Sequence, residues 1–102
     1  MDVLVPIKRL VIARRVQFTS RAIDERLRDG LAVEDVLESI LNANAIKKTL
    51  RSRLGPRVLA HERLYVIESP TYTGTWIYTK GAIRRKNGEE VFYVFVSAKL
   101  AD

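Results

Sequence analysis

Apolar residues at Val3, Leu4, Ile7, Leu10 and Val11 return at three- and four-residue spacings and predict an amphipathic helix. Pro6 is tolerated there only because it falls in the first turn. Val16-Gln17-Phe18-Thr19 reads as a short extended segment. Thr19 or Ser20 can cap a second helix running to about Asp29, with Gly30 as its left-handed stop. Val33, Val36, Leu37, Ile40 and Leu41 form the clearest helical stripe in the chain, and Asn42-Ala43-Asn44 interrupts it. Ala45 to Arg51 is expected to continue as a short turn of helix carrying Lys47 and Lys48. The breakers in Ser52-Arg53-Leu54-Gly55-Pro56 then mark a loop.

Beyond that loop the apolar period becomes two. Leu64 to Glu68 reads as a strand, Ser69 to Gly74 as a loop containing Pro70, and Thr75 to Arg85 as a longer strand. Asn87-Gly88 is a strong hairpin signal, and Glu90 to Ala98 returns as a strand rich in Val, Phe and Tyr. This order predicts one α+β domain over residues 1–102, with N-terminal helices packed on a C-terminal antiparallel β-meander.

A two-residue turn at Asn87-Gly88 sets the pairing: Arg84 faces Val91, Ala82 faces Tyr93 and Lys80 faces Phe95. Tyr78 then faces Ser97, and Trp76 faces Lys99. One face carries Ile77, Thr79, Gly81 and Ile83 against Phe92, Val94, Val96 and Ala98, an apolar set expected to pack on the helices. The other carries Trp76, Tyr78, Lys80 and Arg84 with Tyr93, Phe95, Ser97 and Lys99. Tyr78 and Lys99 are diagonal neighbours in this register, and a slip of one residue would scramble the face.

Charge sharpens the picture. The chain of 102 residues has 18 basic and 12 acidic side chains, a net charge of +6. Residues 1–43 hold seven of each sign, so the whole excess falls in residues 44–102. The aromatics follow: Phe18 stands alone in the first half, and the other seven lie between Tyr65 and Phe95. A basic half that also holds the stackable side chains suits a polyanion with bases, which points to RNA. The expected contacts are Arg51, Arg53, Tyr65, Trp76, Lys80 and Arg84, and the plainer alternative is a solvated basic surface around an aromatic core. The chain has no cysteine, which excludes disulfide scaffolds, thiol catalysis, zinc fingers and iron–sulfur clusters. A reducing, cytoplasmic setting is expected, and no apolar run approaches the ~18 residues of a membrane span.

No metal site, cofactor or phosphate-binding glycine loop is expected: His61 has no His or Cys partner, and the glycines fit no fingerprint. Lys, Arg and Tyr remain. They suffice for one reaction, attack of an RNA 2′-hydroxyl on its own adjacent phosphate. The substrate brings its nucleophile, so the protein must orient it, move protons and neutralise charge on the pentacoordinate phosphate. Against this stand a structural sheet tyrosine at Tyr78 and solubilising lysines at Lys80 and Lys99.

The later residues resemble the RelE superfamily of bacterial toxins, and within it the MqsR-type mRNA interferases. Ile46-Lys47-Lys48-Thr49 sits where that family carries a catalytic lysine. Ser69-Pro70-Thr71-Tyr72-Thr73-Gly74 followed by Trp76-Ile77-Tyr78-Thr79-Lys80 is similar to its turn and the strand with the active-site tyrosine. Phe95-Val96-Ser97-Ala98-Lys99 resembles its last strand, which closes with another catalytic lysine. Where the family carries a glutamine on the first meander strand, this chain has Tyr65. The resemblance implies a RelE-like fold and a metal-independent endoribonuclease with Tyr78, Lys99 and one of Lys47 or Lys48 as catalytic residues. It also implies the role of toxin in a toxin–antitoxin pair, with a cognate antitoxin protein as partner. The alternative is a module that binds RNA or the antitoxin without cleaving.

Overall fold

The computed structural model describes residues 2–51, 62–86, 88 and 90–102. The fold is α+β. Three helices, α1 (Leu4–Ile12), α2 (Ser20–Arg28) and α3 (Val33–Leu41), precede most of a five-stranded sheet. Its strands are β1 (Val16–Phe18), β2 (Lys48–Arg51), β3 (Arg63–Pro70), β4 (Trp76–Lys86) and β5 (Glu90–Leu100). They lie in the order β1-β5-β4-β3-β2. β2 to β5 form the antiparallel meander, while β1 pairs parallel with β5 and makes the sheet mixed.

The helices form where the apolar stripes place them. Leu4, Ile7 and Val11 bury one face of α1, and Val36, Leu37 and Ile40 bury one face of α3. Thr19 caps α2, its side-chain oxygen accepting from the Ala22 N–H at 3.2 Å, and Gly30 follows with φ +70°. The Asp35 carboxylate accepts from the Ala32 N–H at 2.8 Å, satisfying one of the free donors at the start of α3. These faces meet Ile67, Tyr93, Phe95 and Ala98 from the sheet in one core.

Three expectations need correction. The segment expected as a helical turn over Ala45 to Arg51 ends instead in β2, because its backbone takes up pairing with β3, beginning with Lys47 N–H to Val66 O at 2.8 Å. The β4–β5 turn is longer than the two residues expected. Lys86 pairs with Glu90, leaving three residues between the strands, with Gly88 at φ +78°. Ile83 therefore faces Tyr93 and Gly81 faces Phe95, so Tyr93 and Phe95 point into the helix-side core. Val94 is buried on the reverse face with Val66 and Ala82, and Phe92 shares that face.

The third correction lies further along β5. A β-bulge between the Gly81–Phe95 and Lys80–Ser97 pairs leaves Val96 as an extra residue. From there Thr79 faces Ala98, Tyr78 faces Lys99 and Ile77 faces Leu100. The turn shifts the register by one residue and the bulge by one more. Period-two facing is therefore restored, and Lys99 stands directly opposite Tyr78.

β1 ends at Phe18, so the second half of β5 would be an open edge. α2 covers it. Phe95 O accepts from the Thr19 N–H at 3.0 Å, and the Glu25 and Asp29 carboxylates accept from the N–H groups of Ala98 and Leu100. Four residues of helix rise about 6 Å and two residues of strand about 6.8 Å, so acids four apart match alternate strand donors. The edge is blocked to further pairing.

Candidate active site

The site begins with a row across three strands. Glu68 of β3 pairs with Tyr78 of β4, which pairs with Lys99 of β5, all on the face away from the helices. The loop that sets the first pairing is held by its own threonines. The Thr71 N–H donates to Thr75 O at 2.9 Å, the Thr75 N–H to Thr71 Oγ1 at 3.1 Å, and Gly74 turns the chain at φ +91°. The Lys99 ammonium sits 5.4 Å from the Tyr78 ring centroid, within cation–π range. Lys47 reaches in from the start of β2, its Nζ 2.9 Å from Glu68 Oε2. Lys47, Glu68, Tyr78, Lys99, Leu100 and Asp102 line an open depression of about 390 Å³.

Of the four residues expected to be catalytic, Lys47, Tyr78 and Lys99 line this depression and Lys48 does not. Lys48 is exposed opposite Val66 on the same face of the sheet, so it belongs to the surroundings rather than to the depression itself. Glu68 was missed by sequence reasoning. It ends the alternation Leu64, Val66, Glu68, but only the β3–β4 register reveals its partner, and the five-residue loop over residues 71–75 does not declare that register.

The expected RNA contacts divide. Trp76, Tyr78, Lys80, Ala82 and Arg84 alternate along one face of β4, and Trp76 and Lys80 flank the row. Arg84 is engaged by Glu62 through two hydrogen bonds, 2.9 Å and 3.0 Å, and this ion pair raises its pKa further. Tyr65 and Arg51 take the helix-side parity of the sheet, where Tyr65 packs against the core. Tyr93 and Phe95, expected beside Tyr78, are fully buried on the opposite side for the register reason above. Arg53 and His61 lie outside the described residues.

The chemistry available is two carboxylates, Glu68 and Asp102, a phenol and two ammonium groups around one open space. The Lys47–Glu68 pair is half exposed, and such pairs are held by little net energy, so each partner can exchange for another charge. Among the described residues no three His, Asp or Glu side chains gather as a metal-ligand set, and no helix is long and apolar enough to cross a membrane. Comparisons with protein-family models, with curated proteins and with solved structures found no match.

Proposed function

We propose that the protein is an endoribonuclease that cleaves single-stranded RNA by attack of a 2′-hydroxyl on the adjacent phosphate. The observation that carries this reading is the Glu68 carboxylate and the Tyr78 phenol set between Lys47 and Lys99 in one open depression. Lysines alone would grip phosphate. A carboxylate among them works against anion binding, yet it is the group needed to accept a proton.

In this mechanism Glu68 takes the proton of the 2′-hydroxyl as the 2′-oxygen bonds to phosphorus. Lys47 and Lys99 balance the charge that grows on the phosphoryl oxygens. The bond from phosphorus to the 5′-oxygen breaks, and Tyr78 donates a proton to that leaving oxygen; Glu68 then releases its proton to solvent and Tyr78 regains one from solvent. The products are a 2′,3′-cyclic phosphate and a 5′-hydroxyl. The chain's own residues complete this cycle in proton and charge, without a cofactor.

The resemblance to MqsR-type interferases supports the same reading and adds its setting. The protein would be the toxin of a toxin–antitoxin pair, with mRNA as substrate and a cognate antitoxin as partner, within a RelE-like fold. Incubation of the purified protein with single-stranded RNA in excess EDTA tests the activity. Fragments ending in 2′,3′-cyclic phosphate are expected, with loss on Tyr78→Phe. A shift of intact RNA without cleavage would replace this reading with that of a binding module.

A further inference from the structure

A second depression adjoins the first and shares Lys47 and Glu68 with it. Its other walls are Asn42, Asn44, Ala45, Ser69, Pro70 and Trp76. Trp76 leaves 55% of its surface exposed, in contrast to Tyr93 and Phe95, which are wholly buried. A large flat ring held at the end of a strand, beside the small apolar surfaces of Ala45 and Pro70, is a stacking platform. Trp76 lies two residues before Tyr78 on the same face of β4, about 6.8 Å along the strand. A base resting on the indole would therefore have its sugar and phosphate beside the Tyr78–Lys99 row.

The part of the rim formed by Asn42 and Asn44 is firmly placed. The Asn42 amide donates to Pro70 O at 3.0 Å, and Lys8 Nζ donates to Ala43 O at 2.6 Å, tying the segment to β3 and α1. Asn44 follows on this held segment, exposed, with its side-chain amide unengaged among the described residues. An amide presents a donor and an acceptor side by side. That pair complements the N7 acceptor and N6 donor of adenine.

We propose that this second depression is a nucleobase subsite, preferring adenine, in which the base stacks on Trp76 and its edge is read by Asn44. The inference rests on the reading of the first depression as a phosphodiester site. It adds a determinant of which nucleotide lies next to the bond that breaks.

Trp76 is the only tryptophan in the chain, so its fluorescence reports this depression alone. Hexamers of 2′-O-methyl adenosine, of 2′-O-methyl uridine and of abasic 2′-O-methyl ribose phosphate are suitable probes, since none can be cleaved by 2′-hydroxyl attack. The adenosine hexamer is expected to quench the fluorescence at about tenfold lower concentration than the uridine hexamer, and the abasic one to quench little. Asn44→Ala should keep the quenching and lose most of that preference. Trp76→Leu, followed by anisotropy of end-labelled adenosine hexamer, should bind about tenfold more weakly. Equal quenching by all three probes would overturn the proposal, as would binding seen by anisotropy with no quenching. The nuclease reading is judged separately: base-dependent quenching by a protein that never cleaves RNA would keep the subsite and overturn the activity.

Discussion

The Glu25 carboxylate of α2 accepts a hydrogen bond from the Ser97 hydroxyl of β5 at 2.7 Å, just past the bulge that turns Lys99 toward Tyr78. The same oxygen accepts from the Ala98 N–H at 3.1 Å. Glu25 therefore satisfies the Ser97 hydroxyl and the Ala98 N–H on the edge of β5 that β1 does not reach, and it is only 9% exposed.

Replacing Glu25 should accordingly cost stability. Glu25→Ala strands the Ser97 hydroxyl and the Ala98 amide in a buried place, with an expected loss of about 2 kcal/mol, read by urea unfolding. Burial pushes the Glu25 carboxyl up, but the bonds from Ser97, Ala98 and Arg21 outweigh it and hold the pKa below the usual 4.5. A carboxyl lowered by folding contributes stability above its unfolded value and loses it as pH falls through its folded value. The advantage of the wild type over Glu25→Gln should thus be full near neutrality and shrink below about pH 4.5. An advantage unchanged by acid would contradict this.

Tyr78→Phe and Lys99→Ala are each expected to fold normally and to lose RNA cleavage by roughly ten- to a thousandfold. Tyr78→Phe deletes one hydroxyl and keeps the ring beside Lys99. Both groups act on one transition state, so the double variant should be little worse than the poorer single. Thermal unfolding separates this from a structural role, which would lower the melting temperature in proportion to the loss of cleavage.

Lys47, Lys48, Lys80 and Lys99 share the open face around the row. If three or four of them neutralise phosphates, the logarithm of RNA affinity should fall with the logarithm of salt at a slope of about −2 to −3. Lys80→Ala should reduce that slope by about 0.7. Binding that ignores salt would remove these lysines from the interface.

Gly81 allows a close aromatic approach. A Cβ at this position would stand 2.5 Å from Cζ of Tyr93, whose ring is fully buried. Gly81→Ala should therefore destabilise the fold by about 1–3 kcal/mol, with the loss measured by denaturant unfolding. The Tyr93 hydroxyl is buried with no hydrogen-bond partner among the described residues, and burial raises its pKa. Tyr93→Phe should hence be neutral or stabilising in the same measurement.

Helix stripes and caps are local, so α1, α2 and α3 were readable from spacing and from Thr19 and Gly30. The sheet was harder for a stated reason. Val91 to Val96 is apolar at every position, so alternation cannot say whether Phe92 and Val94 or Tyr93 and Phe95 turn inward. Loop length decides, and Asn87-Gly88 suits a turn of two residues as well as one of three. The polar groups just past the bulge are met by Glu25, 72 residues away from Ser97, and no local pattern announces either. Tyr78 and Lys99 lie on one face, as the two-residue turn implied, only because two shifts of one residue cancel. Glu68 was hidden for the same reason as Glu25, since its meaning comes from a partner on another strand.

Leu100 and Asp102 form one wall of the depression that holds Tyr78 and Lys99. Anything joined after Asp102 consequently leaves from the mouth of that depression. An affinity tag placed there would stand in the path of an incoming strand and act as a tethered competitor. A negatively charged tail would do so most effectively, at a local concentration that no freely diffusing polyanion reaches.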